Sequence, residues 1–238
     1  MKKSFLIATV LATASAFATT FDSNPVGLLT LSSIPASGNL KLIAMPFDGC
    51  AESSGESVKV ADVLLTDGLT KSDDLSTADK LYIPTGTKGQ YNRYSLNASG
   101  VWVPANVVTV SGSTITAGSG TPSETAEVPR GGAFWLETAA PSVKLLGQPA
   151  ATMEKVSKSV SVGYQLLAPT TSEIDIKVSD LTGAKGDVVI LADGTKYQFK
   201  DGDPGYWTKN RVQVTDDDKI PAGVGFWYKA AGARTLSL

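Results

Sequence analysis

The sequence predicts an all-β protein: two tandem homologous units, each a β-sandwich or barrel-like fold, behind a signal peptide. Three observations support this prediction. Short strand-like segments are separated by Gly, Pro, Asn or Asp about every ten residues. Several motifs occur twice in the same order. The first residues have the charge and hydropathy pattern of a secretory leader.

Residues 1–18 are predicted to be a cleavable signal peptide. Lys2 and Lys3 precede a short apolar run, and residues 16–18 (Ala-Phe-Ala) have the small-x-small pattern of a cleavage site, with 14–16 as the alternative. We therefore expect export to the cell surface, the extracellular space or the periplasm. No later segment reaches about 18 uninterrupted apolar residues, so we expect no membrane span in the mature chain.

The composition excludes several classes of protein. Hydrophobic residues make up 42% and charged residues 18%, so the chain can bury a core. It contains no histidine, which excludes His-based triads, general bases and metal ligands. One cysteine, Cys50, excludes an intrachain disulfide, and the sequence leaves its role open. No basic block is present, so we do not expect nucleic acid as a partner.

Four short motifs occur twice in the same order. Residues 128–136 (Val-Pro-Arg-Gly-Gly-Ala-Phe-Trp-Leu) match residues 220–228 (Ile-Pro-Ala-Gly-Val-Gly-Phe-Trp-Tyr). The other matches pair 42–44 with 166–168, 59–62 with 177–180, and 100–102 with 205–207. All the tryptophans fall at corresponding places. This repetition predicts a duplication.

The matches divide the chain into four segments after the signal peptide. They are an extended lead at 19–38, unit one at 39–147, a connector at 148–162 and unit two at 163–238. The lead is expected to carry one edge strand. A short helix is expected at 150–158, where Glu154 lies four residues before Lys158.

Turn signals predict β-hairpins within the units. Asp193-Gly194 separates two β-branched and aromatic runs at 188–192 and 195–199. Ser111-Gly112 separates similar runs in unit one. Longer hairpin loops are expected at 97–100 and 201–205.

Each unit has a Phe and a Trp side by side in a predicted strand. Neighbouring strand residues point to opposite faces, so one member of each pair must leave the core. Three interpretations stay open: packing of the Trp against a loop or the sister unit, a platform for sugar rings, and a contact between chains. The candidate binding residues are Trp102, Trp135, Trp207, Trp227, Phe134 and Phe226.

Two acidic loops are the candidate metal sites. Asp201 and Asp203 lie two residues apart in a turn, and residues 216–218 are three consecutive aspartates. Ordinary turn chemistry accounts for both loops, and calcium is the weaker alternative. We expect no cofactor.

Catalytic motifs are absent from the sequence. It contains no Gly-x-Ser-x-Gly elbow, no P-loop and no dinucleotide-binding fingerprint. The pairs Glu52 with Glu56 and Glu124 with Glu127 have the residue type of a glycosidase, but they lie in Ser-, Gly- and Thr-rich stretches that indicate solvated loops. We therefore expect a protein that is not an enzyme.

The repeated motif, Pro-x-Gly-x-x-Phe-Trp, resembles the repeat units of exported β-rich proteins of Gram-negative bacteria, most of them uncharacterised. The resemblance covers 163–238 best and 39–147 loosely, since Arg130 and Ala133 replace the Ala and Gly of the second copy. It implies export and a β fold, and it brings no catalytic residues.

These observations favour a non-catalytic structural or adhesive protein of the cell surface. Its chains would associate through edge strands or aromatic patches. The alternative is a carbohydrate-binding module that holds a surface glycan with its paired aromatic residues.

Overall fold

The computed structural model describes residues 27–32, 36–37, 39–45, 57–87, 89–111, 114–129, 132–147, 157–169 and 175–238. These residues confirm the all-β class, with two large antiparallel sheets and four two-stranded ones. The predicted signal peptide, Cys50 and residues 148–156 lie outside the described residues. Within the described ranges, none of the helices has the length and hydropathy that a bilayer-spanning segment needs.

The first half of the described chain, residues 27–147, is built around a seven-stranded sheet. The strands of this half are β1 (Gly27–Leu31), β2 (Ala36–Ser37), β3 (Leu40–Ala44), β4 (Ser57–Lys59), β5 (Lys80–Pro84), β6 (Gln90–Leu96), β7 (Trp102–Ser111), β8 (Thr114–Ala117), β9 (Glu127–Pro129), β10 (Ala133–Glu137) and β11 (Val143–Gly147). The large sheet has the order β2-β3-β10-β5-β6-β7-β8, and the pairs β1–β11 and β4–β9 form small sheets. A one-turn helix, α1 (Val60–Val63), follows β4.

The second half, residues 157–238, is built around a six-stranded sheet. The strands of this half are β12 (Ser157–Val160), β13 (Gly163–Leu167), β14 (Ile176–Lys177), β15 (Val188–Ile190), β16 (Lys196–Lys200), β17 (Tyr206–Lys209), β18 (Val212–Gln213), β19 (Lys219–Ile220), β20 (Phe226–Ala230) and β21 (Arg234–Ser237). The large sheet has the order β13-β20-β15-β16-β17-β18, and β12–β21 and β14–β19 form small sheets. A 3-10 turn at Val178–Asp180 follows β14.

The two halves have the same plan. Apart from β2, every strand of the first half has a counterpart at the same place in the second half, in the large sheets and in the small ones. The register agrees as well: Trp135 lies opposite Leu42, and Trp227 lies opposite Leu166. The motifs matched in the sequence therefore occupy corresponding positions in space.

The edge strand expected in the lead is β1, which pairs with β11. The predicted connector also carries a strand, β12, which pairs with β21. Ser157 and Lys158, the last residues of the helix predicted at 150–158, are therefore extended. The helix prediction is wrong at these two residues because pairing with Ser237 and Leu236 provides the partners of their strand.

The predicted hairpins are confirmed in the described residues. At the Asp193-Gly194 turn the Leu191 amide donates to the Thr195 carbonyl at 2.9 Å, and Gly194 has φ +85°, which favours glycine. The β6–β7 loop is closed by the side chain of Asn97, whose Oδ1 accepts from the Val101 amide at 2.8 Å.

Each half has its own core on one face of its large sheet. The first core combines residues of the large sheet with residues of both small sheets, such as Val58 of β4 and Leu145 of β11. The second core does the same with Ile220 of β19 and Leu236 of β21. The small sheets therefore cover the inner face of each large sheet.

A buried aspartate ties the strands of the second half together. Asp187 is fully buried. Its carboxylate accepts from the Tyr228 hydroxyl at 2.5 Å and the Ala231 amide at 2.8 Å, and Arg234 Nη1 lies 2.8 Å away. Burial, followed by the hydrogen bond to Asp187, raises the pKa of Tyr228 well above its ordinary value.

The corresponding aspartate of the first half is Asp79. Its Oδ2 accepts from the Thr138 hydroxyl at 2.6 Å and from the Thr70 amide at 3.0 Å. The backbone carbonyls of Asp79 and Asp187 both accept from the next strand, at 3.0 Å from the amides of Leu96 and Phe199. In each half the aspartate thus joins the start of a central strand, β5 or β15, to the residues that follow the strand with the Phe–Trp pair, β10 or β20.

Replacing Asp187 tests the importance of this anchor. Asp187→Asn removes the negative charge that faces Arg234, so we expect the free energy of unfolding to fall by about 3 kcal/mol. Urea denaturation at pH 7 measures the change. Asp217→Ala, at an exposed aspartate, is the control and should change stability by less than about 0.5 kcal/mol. Equal effects of the two changes would contradict the anchoring role.

Candidate functional site

The two Phe–Trp pairs are split between the two faces of their sheets. Phe134 and Phe226 are fully buried in the cores of the first and second half. Trp135 and Trp227 lie on the opposite faces and are half-buried. This arrangement follows from the strand geometry, and it directs both tryptophans away from the core of their own half.

The other two tryptophans are core residues. Trp207 is 2% exposed, its Nε1 donates to the Leu181 carbonyl at 2.8 Å, and it makes edge contacts with Phe199 and Tyr228. Trp102 is 6% exposed and lies in the core of the first half. Neither ring offers a surface on which a ligand can stack.

The faces that carry Trp135 and Trp227 have matching side chains. On four neighbouring strands of each large sheet, a Leu, a Trp, an apolar residue and a cation lie side by side. The two rows are Leu42, Trp135, Tyr82 and Arg93 in the first half, and Leu166, Trp227, Ile190 and Lys196 in the second. The sequence does not reveal these rows, because a row depends on the register between distant strands.

The Pro-Gly turn of the second motif joins the two halves. The Ala44 amide donates to the Gly223 carbonyl at 2.9 Å, and the Gly225 amide donates to the Leu42 carbonyl at 3.2 Å. An isolated antiparallel bridge links Ile43 to Val224. The turn therefore extends the sheet of the first half along the part of β3 that β2 does not cover.

Gly223 is required for this contact for two reasons. Its φ of +73° lies in the left-handed region, which favours glycine. A Cβ atom at this position would lie 2.7 Å from Leu29 Cδ2 and 2.8 Å from Leu31 Cδ2, both in β1 of the first half. The motif glycine therefore allows the second half to approach the first.

A cleft of about 950 Å³ lies between the two halves. The β5–β6 hairpin of the first half forms one wall, and β13 and β20 of the second half form the other. Aromatic and amide side chains are combined in these walls. They include Trp227, Tyr164, Tyr91, Gln90, Gln165 and Lys158.

A smaller cavity of about 230 Å³ adjoins the cleft at Trp227. Tyr91 and Trp135 are part of its lining, and burial raises the pKa of Tyr91. Tyr82, another lining residue, donates to Glu137 Oε2 at 2.5 Å, and burial followed by this bond raises its pKa. The Tyr82 hydroxyl is thus already paired.

Trp227 lies at the boundary of both spaces. Its half-buried side chain lines the cleft and the smaller cavity, and none of the hydrogen bonds found among the described residues uses its indole N–H. The pairing of β15 with β16 ends at Ile190 and Lys196, before the turn that contains the exposed Gly194. Trp227 therefore offers an aromatic surface to the cleft.

The acidic loops pair with lysines. Asp201 lies 2.9 Å from Lys185 Nζ, and Asp203 is exposed. Asp216 and Asp218 lie 2.7 Å from Lys177 and 3.2 Å from Lys209. In the part of the chain that the structure describes, no group of three or more His, Cys, Asp or Glu side chains is placed to hold a metal ion.

The remaining acidic pairs do not form a site in the described ranges. Glu124 and Glu127 are exposed, and Glu127 lies opposite Lys59 in the β4–β9 sheet. Glu52 and Glu56 lie outside the described residues.

Comparison with known proteins gives no assignment: no protein-family model, no curated protein and no solved structure matches this chain.

The Lys209–Asp218 pair predicts a defined pH dependence. Burial acts to raise the pKa of Asp218, but hydrogen bonds from the Thr215 amide and Lys209 outweigh it, and the pKa is lowered. Asp218 raises the pKa of Lys209. Since the pKa of Asp218 is lowered in the folded protein, the stabilising effect of this carboxylate is complete above its unfolded pKa of about 3.9. The effect is lost as the pH falls through the lower folded pKa. The effect of Lys209 is lost as the pH rises past about 10.4.

We therefore expect Lys209→Met to reduce the free energy of unfolding at pH 7 by less than about 1 kcal/mol, because the pair is partly exposed. The difference from the wild type should shrink as the pH falls through the lowered pKa of Asp218 and as it rises above about 10.4 through the raised pKa of Lys209. Urea denaturation between about pH 2.5 and about pH 12 measures it, with Lys177→Met at the more exposed pair as the control. A difference that stays constant with pH would mean that the methylene chain of Lys209, not its charge, contributes.

Proposed function

We propose that this chain is an exported, non-catalytic binding protein that holds a carbohydrate chain in the cleft between its two halves. The observation that carries the proposal is the position of Trp227. Its half-buried ring lines both the cleft and the smaller cavity, and its indole N–H takes part in none of the hydrogen bonds of the described residues.

The chemistry of the walls suits a sugar. The C–H faces of a pyranose ring are apolar and stack on aromatic rings, while the hydroxyl groups need donors and acceptors at the rim. Trp227 and Tyr164 supply rings, and the amides of Gln90 and Gln165 supply both donors and acceptors. Tyr164 is 49% exposed, so it extends this surface to the mouth of the cleft.

We also propose that the two halves are β-sandwich units that arose by duplication. The identical order of the large and small sheets supports this, as does the shared register of all the tryptophans. Trp102 lies opposite Leu96 as Trp207 lies opposite Phe199. In each half the core lies between the large sheet and the small sheets, as in a sandwich.

Export and the lack of catalysis follow from the sequence. The leader pattern of residues 1–18 supports secretion. The lack of histidine and of nucleophile motifs, together with the lysine-paired carboxylates, favours binding over catalysis.

A structural or adhesive role is the second candidate, and one observation favours it. β8, at the edge of the seven-stranded sheet, pairs with β7 only, and all its residues, Thr114–Ala117, are exposed. The strand carries no charge, and Ile115 is 50% exposed. An uncharged, β-branched edge strand is suited to pairing with the same strand of another chain.

Trp227→Ala tests the carbohydrate proposal. We expect the wild type to bind at least one neutral oligosaccharide from a panel of cello-, xylo-, manno- and chito-oligosaccharides. The variant should lose about tenfold or more in affinity, equal to about 1.4 kcal/mol, because the stacking surface and the free donor are removed. Calorimetric titration and tryptophan emission measure the binding.

Two control variants separate binding from folding. Tyr206→Ala removes a partly exposed aromatic ring outside the cleft and should leave binding unchanged. Trp207→Ala should reduce the free energy of unfolding by about 3–5 kcal/mol, whereas Trp227→Ala should reduce it far less. A wild type that binds no member of the panel would argue against the proposal.

Thr116→Lys tests association through β8. If β8 pairs with β8 of another chain, the new lysines face each other and the association should weaken. Light scattering over a range of concentrations measures the mass of the mature chain. Ser99→Lys, in an exposed hairpin loop, is the control. A wild type that stays monomeric would exclude this second role.

A further inference from the structure

We infer that the small residues Ala133 and Gly225, which occupy corresponding positions of the two motifs, determine how closely the two halves dock. The inference concerns the interface between the halves and does not depend on any ligand in the cleft.

The contact between Ala133 and Gly225 is the central observation. Each residue directly precedes the Phe–Trp pair of its motif, so the two positions correspond. A Cβ atom at Gly225 would lie 2.6 Å from the Ala133 Cβ atom, a distance that real Cβ atoms essentially never show. Corresponding positions thus meet at the centre of the contact, whereas the backbone bonds from the Gly223–Gly225 turn to β3 have no counterpart between Ala133 and Leu166 of β13 among the described residues.

The surrounding residues repeat this relation. One apolar cluster between the halves contains Leu42 with its counterpart Leu166, and Ala44 with its counterpart Ala168. The two tryptophans that follow the phenylalanines line one cavity together. Corresponding positions of both motifs therefore lie on the same interface.

The size of the central residues decides how closely the faces approach. Leu42 Cγ would also lie 2.9 Å from a Cβ atom at Gly225, so a methyl group at 225 meets both the methyl group of Ala133 and the side chain of Leu42. Gly225 does not have a φ in the left-handed region. Alanine is therefore compatible with the backbone at 225, and only the opposite half excludes it.

The second copy of the motif thus acquires a meaning for each of its positions. Phe226 fills the core of its own half, Gly223 lets the first half approach, Gly225 lies at the centre of the interface, and Trp227 lies beside it. The face that this copy fits carries a small residue, Ala133, opposite Gly225.

An exchange of the two central residues tests the inference in the full chain. Gly225→Ala alone should loosen the docking, because two methyl groups then meet. Adding Ala133→Gly should restore it, because the 2.6 Å contact is removed and the Leu42 side chain, the remaining neighbour at 2.9 Å, can shift into the space that the methyl group of Ala133 leaves. Ala133→Gly alone should leave the halves docked, and Gly232→Ala, which meets only a flexible arginine end at 3.6 Å, is the control for the change of residue type.

Hydrogen exchange of single amides is the measurement. The Ala44 amide bonds across the interface to Gly223, whereas the Phe199 amide bonds within the second half. We expect Gly225→Ala to speed exchange at Ala44 by about tenfold or more, with Phe199 unchanged, and the double variant to return Ala44 to the wild-type rate.

The other outcomes overturn the inference. Unchanged exchange at Ala44 in Gly225→Ala would mean that the central residues do not control docking. Faster exchange that persists in the double variant would mean that the two positions are not interchangeable. If Gly225→Ala alone does not fold, a double variant with wild-type exchange supports the inference, and a double variant that also fails to fold refutes it.

Discussion

In both halves one strand carries a Phe and a Trp side by side, and the geometry of a strand sends them to opposite faces. This constraint determines much of the rest of the structure. The buried Phe134 and Phe226 fix which face of each sheet covers its core. Trp135 and Trp227 then have to be covered on the other face, and neither half has a small sheet there. The two halves cover these faces by packing against each other, so the interface is a consequence of the same residues that build the cores.

Polar anchors make this arrangement specific. A carboxylate without water must have its hydrogen bonds satisfied, and Asp187 has partners from β20, from β21 and from the residues between them. These contacts fix the register of β20, the strand that carries Phe226 and Trp227, relative to β15. Asp79 and Thr138 do the same in the first half. The register of β10 and β20 sets the positions of Trp135 and Trp227. The buried aspartates therefore position these rings at the interface without contacting them.

The sequence predicted the all-β class, the hairpins and the opposite directions of the Phe and Trp side chains, because these depend on local turn chemistry and strand alternation. It predicted an edge strand in the lead, where β1 lies, but it did not predict β12 or the partner of either strand, since β11 and β21 are distant in the chain. Asp79 and Asp187 gave no signal, because a single aspartate before an apolar strand is also typical of an exposed turn. The cleft required knowledge of how the halves dock, which no local pattern contains.

The differences between corresponding positions indicate where function is added to the fold. Trp135 and Trp227 occupy the same register, but only Trp227 lines the cleft as well as the smaller cavity. An unpaired indole N–H alone does not indicate a binding role, because Trp102 also lacks a partner for its Nε1 in the core. Trp227 differs in that its half-buried ring keeps the packing position and also faces an open space. The same ring therefore stabilises the contact between the halves and provides the surface that the proposed ligand uses.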